Sequence, residues 1–180
     1  TLKALNDYFL YIQNPEKAFQ FLLRLNIDED IKQERAFIFD IWSNRSLEHI
    51  YPKSKVGHQD EEGKWFIGDD KECTEEDITL KREDITTADG LTTTEHSIGN
   101  LVLLYKNENS MFNNSDFEEK KIMFFNPSRK ELFKSRHLLH TICVFAERGG
   151  WDGTAISENK KAMIEKFEND YQELKEKYDE

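Results

Sequence analysis

Apolar residues recur at helical spacing over 2–12, 15–25 and 31–42, so the pattern predicts three helices at the start of the chain. Asn14 before Pro15 reads as an N-cap with proline in the first helical position. Asp28 and Asp30, ahead of Ile31, Phe37, Ile38 and Ile41, read as the acids of the third helix's first turn. At SLEHIYPKS the period changes: Leu47 and Ile50 flank two polar residues and Pro52 stops regular pairing, which predicts a short strand ending at Pro52. A second strand is predicted over Leu101–Tyr105, after Gly99 and Asn100, as the partner of the first in a hairpin. Between them, 55–95 is acidic and rich in Thr, Gly and Asp, with Trp65, Phe66 and Ile67 as its apolar cluster, and reads as one long loop. Ser115 with Glu118, before FEEKKIMFF, and Ser128 with Glu131 each have the spacing of a capping box. The second is expected to open a helix that runs to Arg148 and is closed by Gly149 and Gly150. Ser157 is expected to cap a last helix, and no internal repeat is visible.

At 180 residues the chain can bury a core without disulfide or metal staples. Cys73 and Cys143 stand far apart and outside any CxxC, against both a disulfide framework and a zinc ribbon. No run approaches the roughly 20 apolar residues of a spanning helix, and TLKALNDYFLYIQ lacks the basic start and apolar stretch of a signal peptide. A cytoplasmic protein with no membrane partner is expected, and an opening on Thr1 rather than Met suggests that more chain precedes it.

The net charge of −11 argues against a nucleic-acid partner, because Lys and Arg neutralising phosphates supply most sequence-independent affinity. The charge is segregated, however. Eleven acidic residues face four basic ones over 60–84, whereas over 120–136 six basic residues face Glu131 alone. One local surface is therefore able to meet a polyanion, and Lys120, Lys121, Arg129 and Lys130 are the expected DNA contacts. Solvated helix faces would give the same charge pattern.

The chemistry gathers around the hairpin. A hard divalent cation takes oxygen ligands, and the Glu48 carboxylate with the Asn109 carbonyl would hold one while leaving positions for water and a phosphate. His49, beside that ligand, has an ordinary pKa near ~6.5 and in its neutral form can take a proton from an attacking water. Pro52 lets the strand end or twist there, so that Glu48 and His49 converge although neighbours on a regular strand diverge. Asn100 is placed to orient the imidazole or to pin the two strands, and it also suits a turn. His96, before the second strand, is expected to be a solvated loop residue. His137 and His140 are expected to be core or surface residues, and Trp42, Trp65 and Trp151 core or loop anchors.

The strings EHIYPKS, HSIGNLVLL, NENS and SDFEEKK resemble HNH endonucleases of the ββα-metal fold. More narrowly they resemble the C-terminal nuclease domain of GmrSD-type, modification-dependent restriction enzymes, where an EHI.P strand is followed by GNL.LL, an asparagine and a helix with F..K. The likeness runs from Leu47 to Lys121 and continues thinly through Trp151 and Ile156. It implies His49 as general base, Glu48 and Asn109 as metal ligands and Asn100 as the central asparagine of the catalytic set. It further implies Mg²⁺, or alternatively Mn²⁺, as cofactor, DNA as substrate, and a nucleotide-dependent sensor, N-terminal or separate, as partner in restriction of foreign DNA. Asn109 stands where HNH proteins often carry histidine, and the zinc-binding cysteine pairs of many relatives are absent. The expected fold is α+β: a mainly helical domain with an embedded ββα-metal unit at 46–126, helices of 1–45 packed on it, and helices of 127–180 completing the same domain. Two other readings stay open, a non-catalytic protein-binding module with the HNH fold and an RNase or toxin nuclease of the same chemistry.

Overall fold

Asn14 does cap a helix: its side chain accepts from the Lys17 N–H, Pro15 sits in the first turn, and α2 runs over Pro15–Lys32. Before it lie a 3₁₀ turn, Leu2–Asn6, and the single-turn helix α1, Leu10–Gln13. The computed structural model describes residues 2–85, 92–126 and 134–178. The expected break between a second and a third helix is absent. The chain continues helical through Asn26, which is buried, donates to the Leu22 carbonyl and accepts from the His140 N–H at 3.0 Å. Asp28 and Asp30 thus lie near the end of α2 rather than at the start of a new helix, and of the expected third helix only the 3₁₀ turn Phe39–Trp42 forms.

Strand β1, Arg45–His49, pairs antiparallel with β6, Leu101–Tyr105, in a register that sets Leu47 against Leu103 and His49 against Leu101. Alternation divides this pair between two cores. Leu101, Leu103 and Tyr105 join Leu10, Phe19, Leu22, Ile164 and Phe167, whereas Val102 and Leu104 join Phe112, Phe117, Phe124, Phe145 and Trp151. Covered on both faces, β6 is buried at every position, which is why LVLLY carries no polar residue.

The stretch expected as one acidic loop holds a second sheet, formed by β2 (Val56–Gln59), β3 (Trp65–Ile67), β4 (Lys71–Glu72) and β5 (Leu80–Lys81) in the order β4-β3-β2-β5. Its strands are too short for a period of two to show in the sequence. The β2–β3 turn is closed by Asp60, whose carboxylate accepts from the Glu62 and Lys64 N–H groups, with Gly63 at φ +79°.

After β6 come α3 (Lys106–Phe112) and α4 (Phe117–Phe125). The capping box before α4 forms one residue later than expected, between Asp116 and Glu119. The box expected at Ser128 lies outside the described residues, and of the helix it was to open the structure shows α5, Leu139–Glu147. The last helix, α6 (Gly153–Tyr178), starts before Ser157 and has the Asp152 carboxylate at the Ala155 N–H. The fold is α+β, mainly helical with small sheets, and no helix among the described residues is long and apolar enough to cross a membrane.

His140 is half-buried at the start of α5, its enclosed Nε2 has no hydrogen-bond partner, and burial pushes its pKa down to about 4. A folded pKa below the unfolded value makes the unfolded chain the better proton acceptor. The stability gained is complete above pH ~6.5 and is lost as pH falls toward about 4, a loss on the order of 3 kcal/mol from this site. Urea midpoints measured from pH 7 to 4 should fall accordingly, and His140→Phe should flatten the decline.

Candidate functional site

The end of β1 is locked from three directions. The Asn100 carboxamide, in the turn that leads into β6, accepts from the Tyr51 N–H at 2.8 Å and the Trp151 indole N–H at 3.2 Å. It donates to the Tyr51 carbonyl at 3.0 Å and the Glu95 carbonyl at 2.9 Å. Asn100 therefore pins the strand end, the 94–97 turn and Trp151 together, and its side-chain bonds go to these groups rather than to the His49 ring. Gly99, just before it, lies so close to α6 that a Cβ there would sit 2.2 Å from the Ile156 carbonyl.

Glu48 and His49 turn to opposite faces of β1. The pairing stays regular through His49 opposite Leu101, so Pro52 comes too late to twist the two side chains together. His49 is buried against the edge-on ring of Tyr11, with centroids 4.4 Å apart, and its Nε2 lies 3.3 Å from Nδ1 of His96. Burial first, then the neighbouring His96, Lys53 and Lys120, hold its pKa well below the ordinary histidine value, so it stands neutral at pH 7.

Glu48 points to the other core and meets Lys120 of α4, whose Nζ lies 2.6 Å from Oε1. Lys120 also donates to the His49 and Ile50 carbonyls, at 2.6 and 3.2 Å. Three acceptors match the three N–H groups of an ammonium, and this keeps the pair ionised although burial pushes the Glu48 pKa up and the Lys120 pKa down. Asn109, on α3, shares the face of Glu48: its Nδ2 donates to Ser46 Oγ at 2.5 Å, two residues before Glu48 on the strand. Sequence spacing thus brings Glu48 and Asn109 to one face and leaves His49 on the other.

The DNA-contacting set is rearranged. Lys120 is 0% exposed and belongs to the interior, against the expectation that it meets phosphates. Lys121 is half-buried and donates to the Arg148 carbonyl, while Arg129 and Lys130 lie outside the described residues. Charge counting does not tell a buried ammonium from a solvated one.

His96, expected to be solvated, is buried beside His49, and Glu95 behind it is gripped by Arg82. The available signal was repetition, since Glu95–His96 is a second Glu-His dipeptide five residues before Asn100.

The family model described as GmrSD restriction endonucleases, C-terminal domain, matches residues 2–166. The chain belongs to this family. No curated protein and no solved structure gives a match. Glu48, His49, Glu95, His96, Asn100, Asn109 and Lys120 all fall inside the GmrSD C-terminal match.

Within this GmrSD C-terminal domain, no three His, Cys, Asp or Glu side chains among the described residues gather to hold a metal ion. The donor chemistry still suits a hard cation. Glu48 Oε1 is taken by Lys120 and the Asn109 amide nitrogen by Ser46, so each side chain keeps one oxygen of the kind that a hard cation takes.

Proposed function

We propose that this chain is a divalent-metal-dependent endonuclease of the HNH type that hydrolyses DNA phosphodiester bonds, with His49 as general base. The observation that carries the reading is a buried, neutral imidazole at the end of β1, one residue after Glu48 in the chain and within an antiparallel strand pair followed by helices. The family's restriction endonucleases supply the substrate class.

In the reaction, a water oxygen bonds to phosphorus as its proton passes to the His49 ring. The bond from phosphorus to one ester oxygen breaks, and that oxygen leaves with the electron pair and takes a proton from solvent. Glu48 and Asn109 would hold a Mg²⁺ or Mn²⁺ ion, which when bound supplies charge stabilisation for the departing oxygen. Asn100 and Lys120 keep the strand end in place. Recognition of a modified base and dependence on nucleotide belong, in this reading, to a sensor domain or partner.

One observation favours a non-catalytic binding module instead: the cation at Glu48 in this structure is Lys120. Two measurements separate the readings. Supercoiled plasmid should be nicked or cut with Mg²⁺ or Mn²⁺ and left intact with chelator. Calorimetric titration with Mn²⁺ should show binding that weakens in Glu48→Gln and in Asn109→Ala. Unchanged Mn²⁺ binding in both variants would place the ion elsewhere, and an uncut plasmid under all conditions would favour the binding module.

A further inference from the structure

Arg82 is a donor-only group, and its Nε lies 3.1 and 3.0 Å from the two carboxylate oxygens of Glu95. Glu95 is 2% exposed, and both of its oxygens accept from this guanidinium, which fixes the carboxylate in one orientation. Glu95 Oε1 in turn lies 3.3 Å from Nε2 of His96. With both Glu95 oxygens already accepting from Arg82, the carboxylate faces Nε2 of His96 as an acceptor, so Nε2 carries the proton; burial lowers the His96 pKa, and the Nδ1 of the neutral ring presents a lone pair. That lone pair faces Nε2 of His49 at 3.3 Å. Two facing lone pairs would repel, so Nε2 of His49 must carry the proton.

We propose that Glu95 and His96 are positioning residues that hold His49 in a single tautomer, protonated on Nε2, so that Nδ1 is the nitrogen that receives the proton of the attacking water. The inference rests on the nuclease reading for the role of His49, but the tautomer itself does not.

The surroundings are built to keep this chain of contacts rigid. Tyr11 stacks on the His96 ring and meets His49 edge-on, and its N–H donates to the His96 carbonyl at 3.1 Å. The His96 N–H donates to Thr94 Oγ1, the Thr94 N–H to Ser97 Oγ, and Asn100 holds the Glu95 carbonyl. Arg82 comes from the turn that follows β5, so the inserted second sheet supplies the outer end of the relay.

The test is nitrogen-15 NMR of the histidine-labelled protein, with His49 assigned by its loss in His49→Ala. His49 should show a protonated Nε2 and a bare Nδ1. In His96→Phe the acceptor is gone, and His49 should lose this single tautomer while kcat for plasmid cleavage falls about 10- to 100-fold with KM little changed. His96→Gln should restore both, because its carbonyl oxygen accepts from His49 and its NH₂ donates to Glu95. A parent protein with Nδ1 of His49 protonated, or a His96→Phe variant with unchanged tautomer and rate, would overturn the proposal. If the parent cuts no DNA, the nuclease reading fails while the spectra still decide the tautomer.

Discussion

Lys120→Met lowers the stability of the protein by about 3–5 kcal/mol, the range for removing one partner of a buried ion pair and leaving the other uncompensated. The methylene stem of Lys120, fully enclosed, is replaced well by methionine, which keeps the volume filled. What is lost is the ammonium at the Glu48 carboxylate and the donor to the His49 and Ile50 carbonyls. Urea unfolding at pH 7 measures the loss. The double variant Lys120→Met with Glu48→Leu should recover most of it, because two well-packed apolar side chains avoid the desolvation that two charges incur. A Lys120→Met protein that unfolds at the parent's urea midpoint would show that this ion pair holds nothing together.

His49→Ala lowers the rate of DNA cleavage by about 10²–10⁴-fold, the contribution of a positioned general base. The backbone of residue 49 keeps its register opposite Leu101, and its carbonyl still receives Lys120, so the variant should retain the parent's far-ultraviolet circular dichroism. Plasmid cleavage followed at saturating DNA separates loss of the base from loss of binding. Cleavage at the parent rate by a folded His49→Ala protein would remove His49 from the chemistry.

The parts of the fold that sequence reveals are those governed by neighbours along the chain. Asn14 and Pro15 announce α2 because a cap needs only the residue three places on, and LVLLY announces β6 because burial on both faces forbids polar residues. The misread parts answer to distant partners. The apolar period lapses after Leu25, and what carries α2 through Asn26 is its side chain, which receives the His140 N–H from α5. Lys120 looks like a surface base until β1 supplies three acceptors for it. In the candidate site the expected convergence of Glu48 and His49 does not form, because the strand stays regular through His49 and places Glu48 with Asn109 on the other face. Sequence spacing also left out Glu95 and His96, whose approach to His49 depends on Asn100 pinning a turn to a strand far away in sequence.

The pairing of β1 with β6 closes a long ring of chain, and the second sheet lies entirely inside that ring. In polymer terms, the closure penalty of a flexible loop rises only with the logarithm of its length, so doubling the inserted segment would cost about 0.6 kcal/mol. Length is therefore nearly free thermodynamically between Val56 and Asp84. The fixed points are Val56, buried in the second core, and Arg82, whose grip on Glu95 fixes where the segment's far end must return. Evolution can enlarge or reshape the insertion's outer strands at little energetic penalty, while shifting Arg82 by a single position would unhook it from the histidine pair.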